Sequence, residues 1–150
     1  MGRIETSIEI KASPEKVWEM LAVDRFKEWT VGIASSFLDT KDIKFTSEVS
    51  TPEDKYKVGA SAQSRGETFK VTESLKNEKI TYLIGEETGT NAGTIALVLE
   101  PIEEGTKLTY VTDYEMPWGI FGKFIEKFSK RIGERDLGKS LEKLKSILEK

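Results

Sequence analysis

The sequence predicts an α+β fold, in which a curved antiparallel sheet of about seven strands precedes a long C-terminal helix. Residues 3–11 alternate between apolar and polar side chains, the pattern of a strand with one buried face. Shorter alternating runs, separated by turn residues, continue as far as Met116. After Pro117 the apolar residues recur every three or four positions, which indicates a helix. We expect the first strand to pair with the last, over residues 106–116.

Two short helices are predicted directly after the first strand. Ser13 is a favourable N-cap, and Pro14 suits the first helical position because it needs no amide donor there. Asp24 is a candidate N-cap for a second short helix that ends near Trp29.

The middle of the chain reads as strands joined by short turns. Residues 43–49 alternate, residues 56–65 form a weak strand, and Asn77 marks a turn. Residues 31–42 give no readable pattern.

The C-terminal helix carries two apolar stripes that do not line up. The first is mainly aromatic and the second aliphatic: Trp118, Phe121, Ile125, Phe128 and Ile132, then Leu137, Leu141, Leu144 and Leu148. On a straight helix the two stripes would lie on nearly opposite sides. The sequence therefore predicts a break, a kink or a change of buried face between Arg131 and Gly138.

Histidine and cysteine are both absent from the sequence. Their absence excludes a Ser-His-Asp triad, a Cys-His pair, an ordinary zinc site and a thiol redox centre. We expect neither a metal nor a cofactor, and we assign no catalytic residue. Any reaction would depend on carboxylates, lysine, arginine, tyrosine or hydroxyl groups, so the composition favours a binding protein.

Length and charge indicate further what class of protein this is. A chain of 150 residues with 37% hydrophobic residues is expected to form one domain, residues 1–150. The net charge of −3, with acids and bases interspersed, argues against a nucleic-acid partner. No apolar run approaches the length of about 18 residues needed to span a membrane, and the first residues lack a signal peptide's apolar core. These features predict a cytoplasmic protein, and its many Lys and Glu and few Asn and Gln resemble a thermophile's composition.

Three segments carry a resemblance to a known superfamily: ETSIEIKASPEKVWEMLAVDRFKEW at residues 5–29, LEPIEEGTKLTYVTDYEMP at 99–117 and SLEKLKSILE at 140–149. The chain resembles the START/Bet v 1-like (SRPBCC) superfamily, in its polyketide cyclase/dehydrase-like or CoxG-like subgroup. The resemblance implies a helix-grip fold, with a hydrophobic cavity between the sheet and the last helix. Members carry lipids, sterols, polyketides or plant hormones, while others are cyclases or bind protein partners.

Candidate ligand-binding residues are the inward strand positions and the first half of the last helix, with Trp29 near the entrance. They are Trp29, Phe69, Val71, Tyr82, Tyr110, Tyr114, Phe121, Ile125 and Phe128. For any one of these residues, a place in an ordinary core is the more common explanation. The small residues Val58, Ala60, Ala62 and Ser64 indicate either open space or a poorly packed edge strand.

Two charged residues are candidate polar anchors. Arg65 could bind a ligand carboxylate or phosphate, although a surface position is the more common explanation. Glu73 is in phase with Val71 and Leu75, so burial could raise its pKa and make it a general base. The more common explanation is a place at the sheet's rim or beside a β-bulge.

The sequence thus predicts an intracellular binding or carrier protein for a small hydrophobic molecule, lipid-, sterol- or polyketide-like. The alternatives are a polyketide cyclase/dehydratase-type enzyme and a co-chaperone-like protein-interaction module. The sequence does not determine the oligomeric state.

Overall fold

The computed structural model describes residues 2–30, 43–64, 67–86, 91–114 and 119–149. Side chains are described for these residues except at positions 2, 67, 86, 91–92, 114 and 119–133.

Within the described residues, seven strands form one curved antiparallel sheet, and this confirms the predicted fold class. The spatial order is β1-β7-β6-β5-β4-β3-β2. The strands are β1 (Gly2–Ile10), β2 (Lys44–Phe45), β3 (Ser61–Ser64), β4 (Glu67–Leu75), β5 (Lys79–Glu86), β6 (Asn91–Ile102) and β7 (Gly105–Tyr114).

The first and last strands pair as predicted. Their register runs without interruption from Gly2 opposite Tyr114 to Ile10 opposite Thr106. The alternation of the sequence explains this register, because Ile4 and Ile10 are buried while Glu5 and Glu9 are exposed. The hairpin between β4 and β5 turns at Asn77, which adopts a φ of 64°. The turn predicted at Asn77 is therefore confirmed.

Both short helices are present, but Asp24 does not cap the second. The helix α1 spans Pro14–Glu19, and the Ser13 hydroxyl accepts a hydrogen bond from the Lys16 amide at 3.4 Å. A 3-10 helix spans Val23–Glu28 and therefore begins before Asp24, which lies in its first turn. The carboxylate of Asp24 instead binds the Lys55 Nζ at 2.8 Å.

The strands β2 and β3 are shorter than the sequence predicts. A 3-10 helix spans Pro52–Lys55, and Tyr56 is its C-cap, so no strand begins at Tyr56. The chain then turns at Gly59, whose φ of 93° favours glycine and whose amide donates to the Val71 carbonyl at 2.8 Å. Strand pairing begins only at Ser61.

A β-bulge shifts the phase of β4. Val71 lies opposite Tyr82, but the next aligned pair is Glu73 with Thr81, so one extra residue stands between them. Glu73 and Leu75 consequently face away from the side that buries Val71. The prediction that Glu73 shares a face with Val71 is wrong, and the bulge offered as the alternative explanation is present.

The last helix, α2, runs from Gly119 to Leu148 without interruption, so of the predicted alternatives the break is excluded and a kink stays a prediction. Its second half buries Leu137, Leu141 and Leu144 and packs mainly against β1. The aromatic stripe lies outside the described side chains, so a change of buried face stays a prediction. No helix among the described residues combines the length and apolar character that crossing a bilayer requires.

Candidate functional site

The sheet has an inner face, defined here as the side covered by the short helices and α2. Register aligns buried apolar side chains on this face across six strands. They include Ile4, Ile10, Ala62, Phe69, Val71, Ile80, Tyr82, Ile95, Leu97, Leu99, Leu108 and Tyr110. They form one hydrophobic cluster with the leucines of α2. The predicted site residues among them therefore lie on a common surface.

Tyr82 joins the sheet to the short helices. Its hydroxyl donates to the Leu21 carbonyl at 2.8 Å, and its ring meets the edge of Phe26 with centroids 5.4 Å apart. Burial is the main cause that raises its pKa well above the ordinary tyrosine value. Tyr82 is therefore a protonated part of the core whose hydroxyl donates a hydrogen bond.

Trp29 is also part of this packing. It is completely buried, and its indole Nε1 donates to the Met20 carbonyl at 3.0 Å. Its ring packs against the Phe26 ring, with centroids 5.5 Å apart. The structure thus places Trp29 inside the core rather than at an exposed entrance.

Tyr110 differs from Tyr82 in its polar end. It lies on β7 opposite Thr6 and Leu97, and 4% of its surface is exposed. No hydrogen bond joins its hydroxyl to another described residue, and burial alone raises its pKa. The hydroxyl therefore stays protonated at neutral pH and is able to donate a hydrogen bond.

The inner face is closed where β4 and β5 meet. A side chain that lines an open cavity keeps accessible surface, yet Phe69, Val71 and Tyr82 each keep only 1%. A ligand that touches these three residues must therefore displace some of their present neighbours. The predicted contacts Tyr114, Phe121, Ile125 and Phe128 lie outside the described side chains, and Arg65 lies outside the described residues.

Glu73 lies on the opposite face of the sheet. Its carboxylate binds the Lys79 Nζ at 2.8 Å, and about half of its side chain (49%) is exposed. An exposed, paired carboxylate is not desolvated, so the environment required of a buried general base is absent at this position.

Three buried polar residues were not identified as functional candidates from the sequence. Asp136 and Ser140 lie on the buried side of α2, where the Ser140 hydroxyl donates to the Asp136 carbonyl at 2.8 Å. The Asp136 carboxylate lies 3.4 Å from the Arg135 Nε. Ser64 is buried on β3, and its Oγ has no hydrogen-bond partner among the residues that the structure describes. Asp136 could have been identified from the sequence, because it is a polar residue within an apolar stripe. Ser64 could not, because the sequence does not show whether a hydroxyl has a hydrogen-bond partner.

A separate depression of about 350 Å³ lies at the far end of the sheet, beside the turn between β6 and β7. It contains none of the predicted site residues, and most of its lining is charged: Glu9, Ile10, Lys11, Ile102, Glu103, Glu104 and Lys145. Among the side chains that are described, no three Asp or Glu residues cluster as metal ligands would.

A family model described as polyketide cyclase/dehydrase and lipid transport matches residues 1–149. No curated protein matches the sequence.

Solved structures share the fold over nearly the whole chain. A Staphylococcus aureus protein of unknown function is 18% identical with a TM-score of 0.67, covering 99% of this chain and 93% of that one. A Mesorhizobium loti protein is 16% identical with a TM-score of 0.66, covering 99% and 97%. The Aha1 dimer from Colwellia psychrerythraea is 23% identical with a TM-score of 0.63, covering 99% and 96%. At these identities the likeness shows the fold alone.

Proposed function

The chain belongs to the polyketide cyclase/dehydrase and lipid transport family, and we propose that it binds or carries a small hydrophobic molecule between the inner face and α2. One observation carries the proposal: the described side chains of the inner face include no carboxylate, lysine or arginine. A surface of this kind suits an apolar ligand held by a few hydroxyl groups. We propose further that the protein acts in the cytoplasm as one domain.

The tyrosines of the inner face favour binding over catalysis. Tyr82 and Tyr110 are its titratable groups among the described side chains, and burial raises the pKa of both. A tyrosine with a raised pKa holds its proton at neutral pH, so it does not serve as a general base there. It can still donate a hydrogen bond to a ligand.

A cyclase- or dehydratase-type reaction is the second candidate, because Asp136 places a carboxylate on the buried side of α2. Its exposed neighbour Glu134 offers a matched comparison on the same helix. Replacing each residue with the corresponding amide separates the two candidates. A binding protein keeps its affinity for an apolar probe in both variants, whereas an enzyme that uses the Asp136 carboxylate loses its activity in Asp136→Asn and keeps it in Glu134→Gln.

Fluorescence titration with N-phenyl-1-naphthylamine, an uncharged apolar probe, tests the proposal. We expect a Kd of about 1 μM, which corresponds to about −8 kcal/mol. Phe128→Glu should abolish binding, because it places a charge on the predicted ligand-facing stripe of α2. A charge at Tyr82 is not a usable test, since the buried, hydrogen-bonded position would unfold the protein.

Leu75→Glu is the matched control. It makes the same chemical change at a leucine that is 53% exposed on the outer face, so binding should stay as in the wild type. Circular dichroism confirms that both variants are folded. Absence of binding by the wild type, or equal binding by the folded Phe128→Glu variant, would contradict the proposed function.

A further inference from the structure

Ser64 lies at the end of β3, on the inner face of the sheet. Burial alternates along this strand, so that Ala62 and Ser64 are each only 2% exposed. Ala62 lies opposite Phe69 on one side and Phe45 on the other, and Ser64 lies two pairs further along, opposite Glu67. Ser64 therefore continues the surface that Phe69 and Ala62 form.

The hydroxyl of Ser64 is a buried polar group without a partner among the described residues. Its Oγ is shielded from solvent and makes no hydrogen bond to any of them. Other buried hydroxyls are bonded: Thr106 donates to the Ala12 carbonyl and Thr30 to the Phe26 carbonyl, each at 2.8 Å. An unsatisfied buried hydroxyl destabilises the folded state and is uncommon in native proteins, so its presence calls for an explanation.

The residues that precede this hydroxyl on the same side of the chain have small side chains. They are Ala60 and Ala62, each 2% exposed, so a ligand would have to displace their present neighbours to reach them. A ligand body that packs over the two alanines and against Phe69 would bring a polar atom at its end to the Ser64 Oγ. A serine hydroxyl both donates and accepts, so it suits a hydroxyl or a carbonyl oxygen.

We infer that Ser64 is the polar anchor of the site, and that the ligand is an apolar molecule bearing an uncharged hydroxyl or carbonyl group. This inference rests on the proposed function and specifies its ligand class. A carboxylate or phosphate is disfavoured, because no cation stands on the inner face among the described side chains.

Two probes that differ in one hydroxyl test the inference, 2-naphthol and naphthalene. We expect Ser64→Ala to weaken 2-naphthol binding about fivefold to tenfold, the usual effect of one hydrogen bond, and to leave naphthalene binding unchanged. Because no described residue bonds this hydroxyl in the free protein, the variant should melt at the wild-type temperature or above it.

Ser61→Ala is the matched control on the same strand. Its hydroxyl lies 2.8 Å from the Thr46 Oγ, so this variant should melt at a lower temperature and bind both probes as the wild type does. Equal weakening of both probes by Ser64→Ala, no weakening of either, or a lower melting temperature would overturn the inference while the proposed function stands. Failure of the wild type to bind either probe would overturn both.

Discussion

The two edges of the sheet are built by different means. The strand β1 pairs with β7 along nine residues and is covered by α2. At the other edge β2 has two residues, and the hydroxyl groups of the next two residues, Thr46 and Ser47, bond to Ser61 of β3, with the Thr46 Oγ 2.8 Å from the Ser61 Oγ. A long backbone ladder under a helix resists local opening, whereas a short ladder with side-chain bonds opens at lower free energy. The candidate anchor Ser64 belongs to the second edge, where a ligand would meet less resistance.

The largest expected effect is at the β1 edge. Gly105 begins β7, and a β-carbon at this position would overlap the Ile10 carbonyl oxygen and lie 2.9 Å from the Ala12 nitrogen. Because both obstacles are backbone atoms, Gly105→Ala must separate β1 from the β6–β7 turn. We expect the free energy of unfolding in urea to fall by about 3 kcal/mol or more. Gly138→Ala is the control, since no described atom lies within 4 Å of the corresponding β-carbon.

A smaller effect is expected at the β3 edge. Ser61→Ala removes the hydroxyl that bonds to Thr46, and we expect the free energy of unfolding to fall by about 1 kcal/mol. Urea denaturation of this variant beside Gly105→Ala compares the two edges directly. If Ser61→Ala lowers the free energy of unfolding as much as Gly105→Ala does, the two edges are equally stable.

The smallest effect concerns acid pH in the segment that precedes β3. The Asp54 carboxylate accepts hydrogen bonds from the Ser50 and Thr51 amides, at 2.8 and 3.0 Å, and these bonds lower its pKa below 3.8. The stabilisation is therefore complete above the ordinary aspartate pKa and is lost as the pH falls through the lowered value.

Amide hydrogen exchange at decreasing pH measures this loss. Protection of the Ser50 and Thr51 amides should fall in acid, after correction for intrinsic rates, while the β1 amides stay protected. In Asp54→Asn the two amides should be less protected, and the acid-dependent loss should disappear. If the protection of these two amides is still lost in acid in Asp54→Asn, a group other than Asp54 is responsible for the loss.

The sequence predicts the fold best where one side of a strand faces the core. Residues 3–11 alternate strictly because alternate side chains are buried, and the pairing with β7 follows from that pattern. The first and last residues of β2 and β3 were not predictable. Apolar and polar residues alternate through this part of the sequence, but the turn at Gly59 and the hydroxyl bonds around Ser61 interrupt the strands.

The candidate site was predictable in composition but not in arrangement. Phe69, Val71, Tyr82 and Tyr110 were assigned to a common inward surface, and the structure places them there. The bulge that turns Glu73 outward was only one of the explanations that the sequence offered for this residue, because a bulge is a local backbone event. The missing partner of Ser64 depends on atoms that are distant in sequence, so only the three-dimensional structure shows it.

The central claim is that an apolar ligand binds on the inner face of the sheet, and two alanines report on it directly. Ala62 is buried on the inner face, and Ala96, opposite Thr81 and Val111, lies on the outer face. Methyl NMR of alanine-labelled protein, titrated with N-phenyl-1-naphthylamine, should show the Ala62 signal moving while the Ala96 signal stays in place. Movement of Ala96 alone, or no movement of Ala62 at saturating probe, would contradict the account.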